Sequence, residues 1–231
     1  MGTTYGSKPN SALSFAVERD NLLQCYDAME STGSTHWPEV AGVYTGSAAV
    51  GSPVLNETDG AGSNKIKYFT FDQNTGDYFL FQDYTQPNIC SLSTWIRIND
   101  TNVLETLCSH INGSPVVSYY AIDSNGYMVF GYYDGSWKDV TGTGTVVDDN
   151  VWHHCVFARS GTNHRFYVDG SLDTNLTMDS AMGGRINTIG AKWGGGNKFD
   201  GDIAHFSMYS IQLSATQVSD MYEAQRHRFG V

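Results

Sequence analysis

The 231 residues carry a net charge of -11 and are 40% hydrophobic, 13% aromatic and only 16% charged, too aromatic and too weakly charged for a disordered chain. The acidity argues against a phosphate-binding groove, because nucleic-acid affinity rests on Lys and Arg neutralising phosphates, so no nucleic-acid partner is expected. No run approaches the roughly 18–20 apolar residues of a membrane span, and the start MGTTYGSKPNSALS lacks the apolar centre of a signal peptide, so neither membrane insertion nor a leader is expected.

Residues 1–20, rich in Ser, Thr, Gly and Asn, predict a flexible or docking N-terminal arm ahead of one domain over 21–231. A first strand is expected at Leu22–Asp27. Residues 31–62, mostly small and polar around Trp37 and Pro38, read as loop-rich covering with short strands such as Val40–Tyr44. Alternation returns at Lys65–Phe71, and after Asn74-Thr75-Gly76 a partner strand begins at Tyr78. In Ile89–Ile98, Cys90, Leu92, Thr94, Ile96 and Ile98 share one face and Ser91, Ser93, Trp95 and Arg97 the other. Strands at Leu104–Ile111 and Val116–Ile122 lead to the turn Asp123-Ser124-Asn125-Gly126, then to Tyr127–Tyr133 and a second turn at Asp134-Gly135.

The clearest unit is VWHHCVFARSGTNHRFYVDG, Val151–Gly170. Trp152, His154, Val156 and Ala158 fall on one face of its first strand and His153, Cys155 and Phe157 on the other, which predicts a central strand covered on both sides. The return strand points Phe166 and Val168 inward, with Arg165, Tyr167 and Asp169 outward. Further strands are expected at Ile186–Gly190 and Asp202–Ile211, where Ile203, His205, Tyr209 and Ile211 alternate with Ala204, Phe206 and Met208. Ser214 with Gln217 three residues on is a capping-box signature for one short C-terminal helix. Cys25, Cys90, Cys108 and Cys155 lack metal-ligand spacing and sit in apolar strand patterns, as buried free thiols do. The fold class is therefore all-β, with antiparallel strands at the short intervals of a sandwich or barrel.

Three pieces, LSTWIRI at Leu92–Ile98, the Val151–Gly170 hairpin and FDGDIAHFSMYSIQLSATQVSDMY at Phe199–Tyr222, resemble in order and spacing the laminin-G-like branch of the concanavalin A-like jelly rolls. The resemblance implies a two-sheet antiparallel jelly-roll sandwich and no single function. The segments LLQCYDA and YFTFDQNTGDYF are similar to the front half of such domains in phage and bacterial surface proteins. That similarity implies a virion structural protein, a phage head decoration or tail-appendage subunit made in the host cytoplasm and exposed on the virion surface. Its expected partners are other virion proteins or copies of itself in a homo-oligomer, together with host cell-surface glycans.

Two further functional readings come from the side chains. A carbohydrate-binding module needs exposed rings beside polar acceptors. Tyr133 and Trp137 flank one turn, and Trp193 and Asn197 border a second, the glycine loop Gly194-Gly195-Gly196; these four are the candidate ligand-binding residues. A jelly-roll glycoside hydrolase needs two carboxylates across a cleft, yet only Glu105 of the six glutamates sits on an expected strand, so no catalytic residue is assigned. His153 and His154, adjacent on a strand, point apart and cannot share a metal. The laminin-G-like resemblance also implies calcium as a cofactor, with candidate ligands at Asp72 with Asp77, Asp148 with Asp149 and Asp200 with Asp202, although aspartate is first of all the ordinary turn residue.

Overall fold

The computed structural model describes residues 19–41, 46–59, 65–98, 103–112, 117–133, 135–178, 184–192 and 196–231. Residues 1–18 of the expected arm, Asp134 and Trp193 lie outside them. In chain order the strands are β1 (Leu22–Asp27), β2 (His36–Trp37), β3 (Ser47–Val50), β4 (Val54–Asp59), β5 (Lys65–Phe71), β6 (Tyr78–Thr85), β7 (Ile89–Arg97) and β8 (Glu105–Ser109). They continue as β9 (Val117–Ile122), β10 (Met128–Tyr133), β11 (Trp137–Thr141), β12 (His153–Ser160), β13 (Asn163–Val168), β14 (Ser171–Thr177), β15 (Arg185–Ile189) and β16 (Gly201–Tyr209), and helix α1 (Ala215–Phe229) follows.

The strands form two antiparallel sheets of eight. The first runs β14-β13-β12-β7-β16-β5-β4, with β1 also paired to β16; the second runs β11-β10-β9-β8-β15-β6-β3-β2. This is the jelly-roll sandwich expected from the sequence. The hairpin β12–β13 turns through Gly161 and Thr162, and the next through Asp169 and Gly170, whose φ angles of 50° and 77° both lie in the left-handed region of a tight hairpin turn.

The main core lies between the sheets and is largely aromatic. Trp37 sits inside it, its ring 4.9 Å from Phe69, 5.4 Å from Phe79 and 6.1 Å from Tyr26. Residues 31–62 are therefore more than covering: β2, β3 and β4 complete the sheet edges, and the two-residue β2 delivers the largest core side chain. Among the described part of Val40–Tyr44 there is no strand; the Val40 amide instead donates to the Cys25 carbonyl at 2.8 Å.

The outer face of the first sheet is covered by α1, and two corrections to the strand pattern follow from that. Tyr167 points away from the main core as expected, but it is buried, packing with Val156, Tyr209, Leu213, Val218 and Met221 beneath the helix. In β16 the strict alternation breaks between Ile203 and His205, where the register against β7 shifts. The extra residue of such a bulge lets Ile203, Phe206 and Met208 all face the main core while Ala204 joins the helix side. Helix α1 starts with both halves of the capping box, Ser214 accepting from the Gln217 amide at 3.3 Å and Gln217 from the Ser214 amide at 2.8 Å. It ends on Gly230 in the left-handed conformation, φ 76°.

Trp95 is held on this side between Phe229, stacked at 4.0 Å, and His154, stacked at 5.2 Å. Beside it, Asp27 of β1 is fully buried and takes the Arg228 guanidinium through both oxygens at 3.0 and 3.1 Å, with His205 Nδ1 at 3.2 Å and the Met29 amide donating at 2.9 Å. Burial alone would raise the Asp27 pKa; Arg228 and His205 outweigh it and hold the carboxyl well below the usual carboxylate range. All four cysteines are buried free thiols, as expected. Burial raises the pKa of Cys25, Cys108 and Cys155, so they remain protonated.

Removing one partner of a buried, hydrogen-bonded pair leaves an uncompensated charge, so Arg228→Ala should lower unfolding free energy in urea by roughly 3–5 kcal/mol, and adding Asp27→Asn should recover part of it. Because the folded Asp27 pKa is depressed, its contribution is fully present above about pH 4 and is lost as pH falls below that. The double variant should therefore show a shallower loss of stability in acid.

Candidate functional site

With α1 over the first sheet, the exposed tyrosine and tryptophan rings among the described residues, Tyr133 and Trp137, are on the second. Its edge is a meander of β9, β10 and β11. Asp123 sets the first turn, its Oδ1 accepting from the Asn125 and Tyr127 amides at 2.9 and 3.0 Å, with Gly126 at φ 81°. Alternation then sends Tyr120, Ile122, Met128, Phe130 and Tyr132 into the main core and leaves Tyr119, Ala121 and Val129 in a separate cluster on the outer face.

Register places Gly131 between Tyr119 on β9 and Asp139 on β11, and pairs Tyr133 with Trp137. A Cβ at residue 131 would come within 2.3 Å of both the Asp139 carboxylate and the Tyr119 ring; glycine here allows these two side chains to close over the strand. The Tyr119 pKa is strongly raised, first by burial and then by the neighbouring Asp139 carboxylate. Trp137 leans on Tyr133 at 5.3 Å and on Tyr119 at 5.6 Å. Trp137 is 41% exposed and Tyr133 38%, so the two form an open aromatic surface.

Lys192 completes the cluster from the loop after β15. Its Nζ stands 3.9 Å from the Tyr119 ring centroid and 4.3 Å from that of Trp137, a cation–π arrangement with two rings. Burial lowers the Lys192 pKa, with Asp139 pulling the other way. The loop is anchored by main-chain bonds: Gly190 donates to Leu107 at 2.9 Å, Lys192 to Gly196 at 3.1 Å, and Thr106 to Asn197 at 3.1 Å.

Of the residues expected from the sequence, Tyr133 and Trp137 are thus brought together. Asn197 is exposed and lines an open groove of about 270 Å3 with Gln73, Val103 and Lys198; Trp193 lies outside the described residues. Sequence reasoning missed Tyr119, Asp139 and Lys192. The outward phase of Tyr119 was readable from the alternation of β9, whereas Lys192 sits in a glycine-rich loop whose position no periodicity reveals.

The carboxylates weighed for calcium have other work. Asp77 accepts from the Ser52 and Asp72 amides at 2.6 and 3.1 Å, Asp149 holds the Val151 amide and His153 at 3.0 Å each, Asp200 takes Gln73 at 3.1 Å, and Asp202 accepts Arg97 at 2.6 and 2.8 Å. Among the described residues no group of three or more His, Cys, Asp or Glu could hold a metal ion. Glu105 is buried and accepts from the Asp200 amide at 2.7 Å, anchoring the start of β16. The adjacent histidines do point apart. His153 lies between Asp169 at 2.8 Å and Asp149, which outweigh burial and raise its pKa. His154 is pushed down to about 3 by burial and by His205.

The chain belongs to the family described as the concanavalin A-like lectin/glucanases superfamily, whose laminin-G-type pattern matches residues 69–219. No curated protein matches it in sequence. Among solved structures it is similar to domain 4 of AbnA, a GH43 extracellular arabinanase from Geobacillus stearothermophilus in complex with arabinotriose, at TM-score 0.67 and 16% identity over 87% of this chain and 98% of that one. It is also similar to the botulinum neurotoxin serotype D binding domain, at TM-score 0.63 and 17% identity over 90% of this chain and 52% of the other. A serotype D ligand-binding domain in complex with N-acetylneuraminic acid gives TM-score 0.60 and 14% identity over 92% and 53%. The chain spans about half the length of these toxin domains. At such identities the likeness is one of fold.

Gly131→Ala should force Tyr119 and Asp139 apart and destabilise the protein by about 1–3 kcal/mol. Intrinsic fluorescence should report a changed Trp137 environment well below the unfolding transition.

Proposed function

We propose that the protein is a non-catalytic, lectin-like binding module that takes a glycan on the outer face of the second sheet, with Trp137 and Tyr133 as the stacking surface. The observation that carries this reading is the exposed ring pair, bordered by an ammonium and a carboxylate, on a sheet whose other aromatic side chains are mostly buried. Sugar rings present apolar faces to stack on such side chains and hydroxyls to the polar groups around them. Related folds in complex with arabinotriose and with N-acetylneuraminic acid support it. The use of Glu105 as a buried loop anchor speaks against a two-carboxylate hydrolase.

Glycan arrays followed by titration calorimetry test the proposal. Trp137→Ala should weaken the bound glycan by about 2 kcal/mol, roughly 30-fold, with little change in melting temperature, since Trp137 is a partly exposed edge residue. Absence of any glycan signal from the folded wild type would reject it.

Display on a virion surface, in several copies, is the setting we propose for such a module. Repetition would turn weak single-site binding into avidity. Mass spectrometry of purified phage particles should detect the chain, and particles consistently lacking it would rule this setting out.

A further inference from the structure

The arrangement around Lys192 narrows the chemical class of the ligand. Among the described residues, the Lys192 ammonium makes no ion pair and no hydrogen bond. Five other cations are paired: Arg97 is on Asp202, Arg228 on Asp27, Arg226 on Glu223, Arg185 on Asp83 and Lys65 on Glu57. Asp139, the carboxylate whose field Lys192 feels, also lies beside Tyr119 over Gly131. The ammonium is instead held against the faces of Tyr119 and Trp137, half removed from water. Ring faces offer it partial charge but no acceptor lone pairs for its three N–H donors.

A partly desolvated ammonium with open donors, next to an exposed indole, offers a charge-assisted contact to an anionic group on anything that stacks there. We infer that the glycan is acidic, bearing a carboxylate or sulfate that Lys192 reads while its sugar ring rests on Trp137 or Tyr133. This inference rests on the glycan-binding reading of the same face. The net charge of -11 opposes a polyanion at long range, but repulsion between exposed charges is largely screened beyond about 8 Å at physiological salt, and the Lys192 contact is short-range. The lowered Lys192 pKa agrees with this role, since a bound anion would restore the stabilisation that burial removes.

The alternative is that Lys192 merely clamps its loop to the sheet. The two are separated by a ratio that a structural clamp would not move. An array of matched pairs, each acidic glycan beside its carboxyl-reduced or desulfated counterpart, is probed with wild type, Lys192→Met, Lys192→Arg, Trp137→Ala and Lys138→Met. Lys138 is the control, a cation next to Trp137 on β11 whose Nζ stands by Tyr132 at 5.9 Å.

Wild type and Lys138→Met should prefer the acidic member at least tenfold, and this preference should shrink as salt is raised. Lys192→Arg should retain most of it, and Lys192→Met should bring the ratio close to one while residual binding still depends on Trp137. Equal binding of acidic and neutral members by wild type, or an unchanged ratio in Lys192→Met, overturns the inference and leaves the glycan-binding reading standing. No binding to any glycan by folded wild type overturns both.

Discussion

The buried ion pair between Asp27 and Arg228 is the constraint on which the arrangement of the molecule depends. It joins the first strand to the last turn of the only α-helix among the described residues, 201 positions away, with His205 of the last strand beside both. A carboxylate at zero exposure is tolerable only when its oxygens are occupied. Here a guanidinium fork, an imidazole and a main-chain amide occupy them. The pair therefore sets where α1 can lie, and the Phe229–Trp95 stack continues the same contact towards β12.

That closure decides which sheet is free. One face of the first sheet packs on the core and the other lies under α1, so its outward residues, such as Tyr167 and Val156, are apolar and buried. Among the described residues the second sheet has no such cover over β9–β11, where its outward residues include a partly exposed tryptophan, a tyrosine and a carboxylate, with the Lys192 ammonium beside them. Rigid strands position Tyr133, Trp137 and Asp139 through cross-strand pairing, while a loop tied by three main-chain bonds brings Lys192. A site with four of its side chains, Tyr119 included, on a sheet and one on an anchored loop is well held in shape, which suits recognition without rearrangement.

The strands that were legible share one property: their side chains alternate between two environments of different polarity. In β7 and β12, Trp95 and His154 fall opposite Ile96 and Cys155 just as alternation requires. β2 escaped notice because two residues cannot show a period, and the polar edge strand β14, SLDTNLT, because neither of its faces is strongly apolar. The phase of β16 after Ile203 was misjudged because a bulge inserts one residue without a local signature. At the candidate site, the Tyr133–Trp137 pair was visible from the short turn that joins their strands. Asn197 faces the groove with Gln73 and Lys198, while Trp193, the ring it was grouped with, lies outside the described residues.

By itself the sequence determined what depends on near neighbours: the two-faced strands, the Asp123 and Asp169-Gly170 turns, the capping box at Ser214 and the absence of metal-ligand spacing among the cysteines. Each follows from side chains acting on backbone or solvent within a few positions. Tertiary structure alone decided which sheet face the helix seals, that Trp37 becomes core, and that Lys192 meets Tyr119 and Trp137 from 73 and 55 positions away. Those outcomes depend on long-range pairing of β8 with β9 and β15 and on one buried ion pair, interactions between residues that no local pattern brings together.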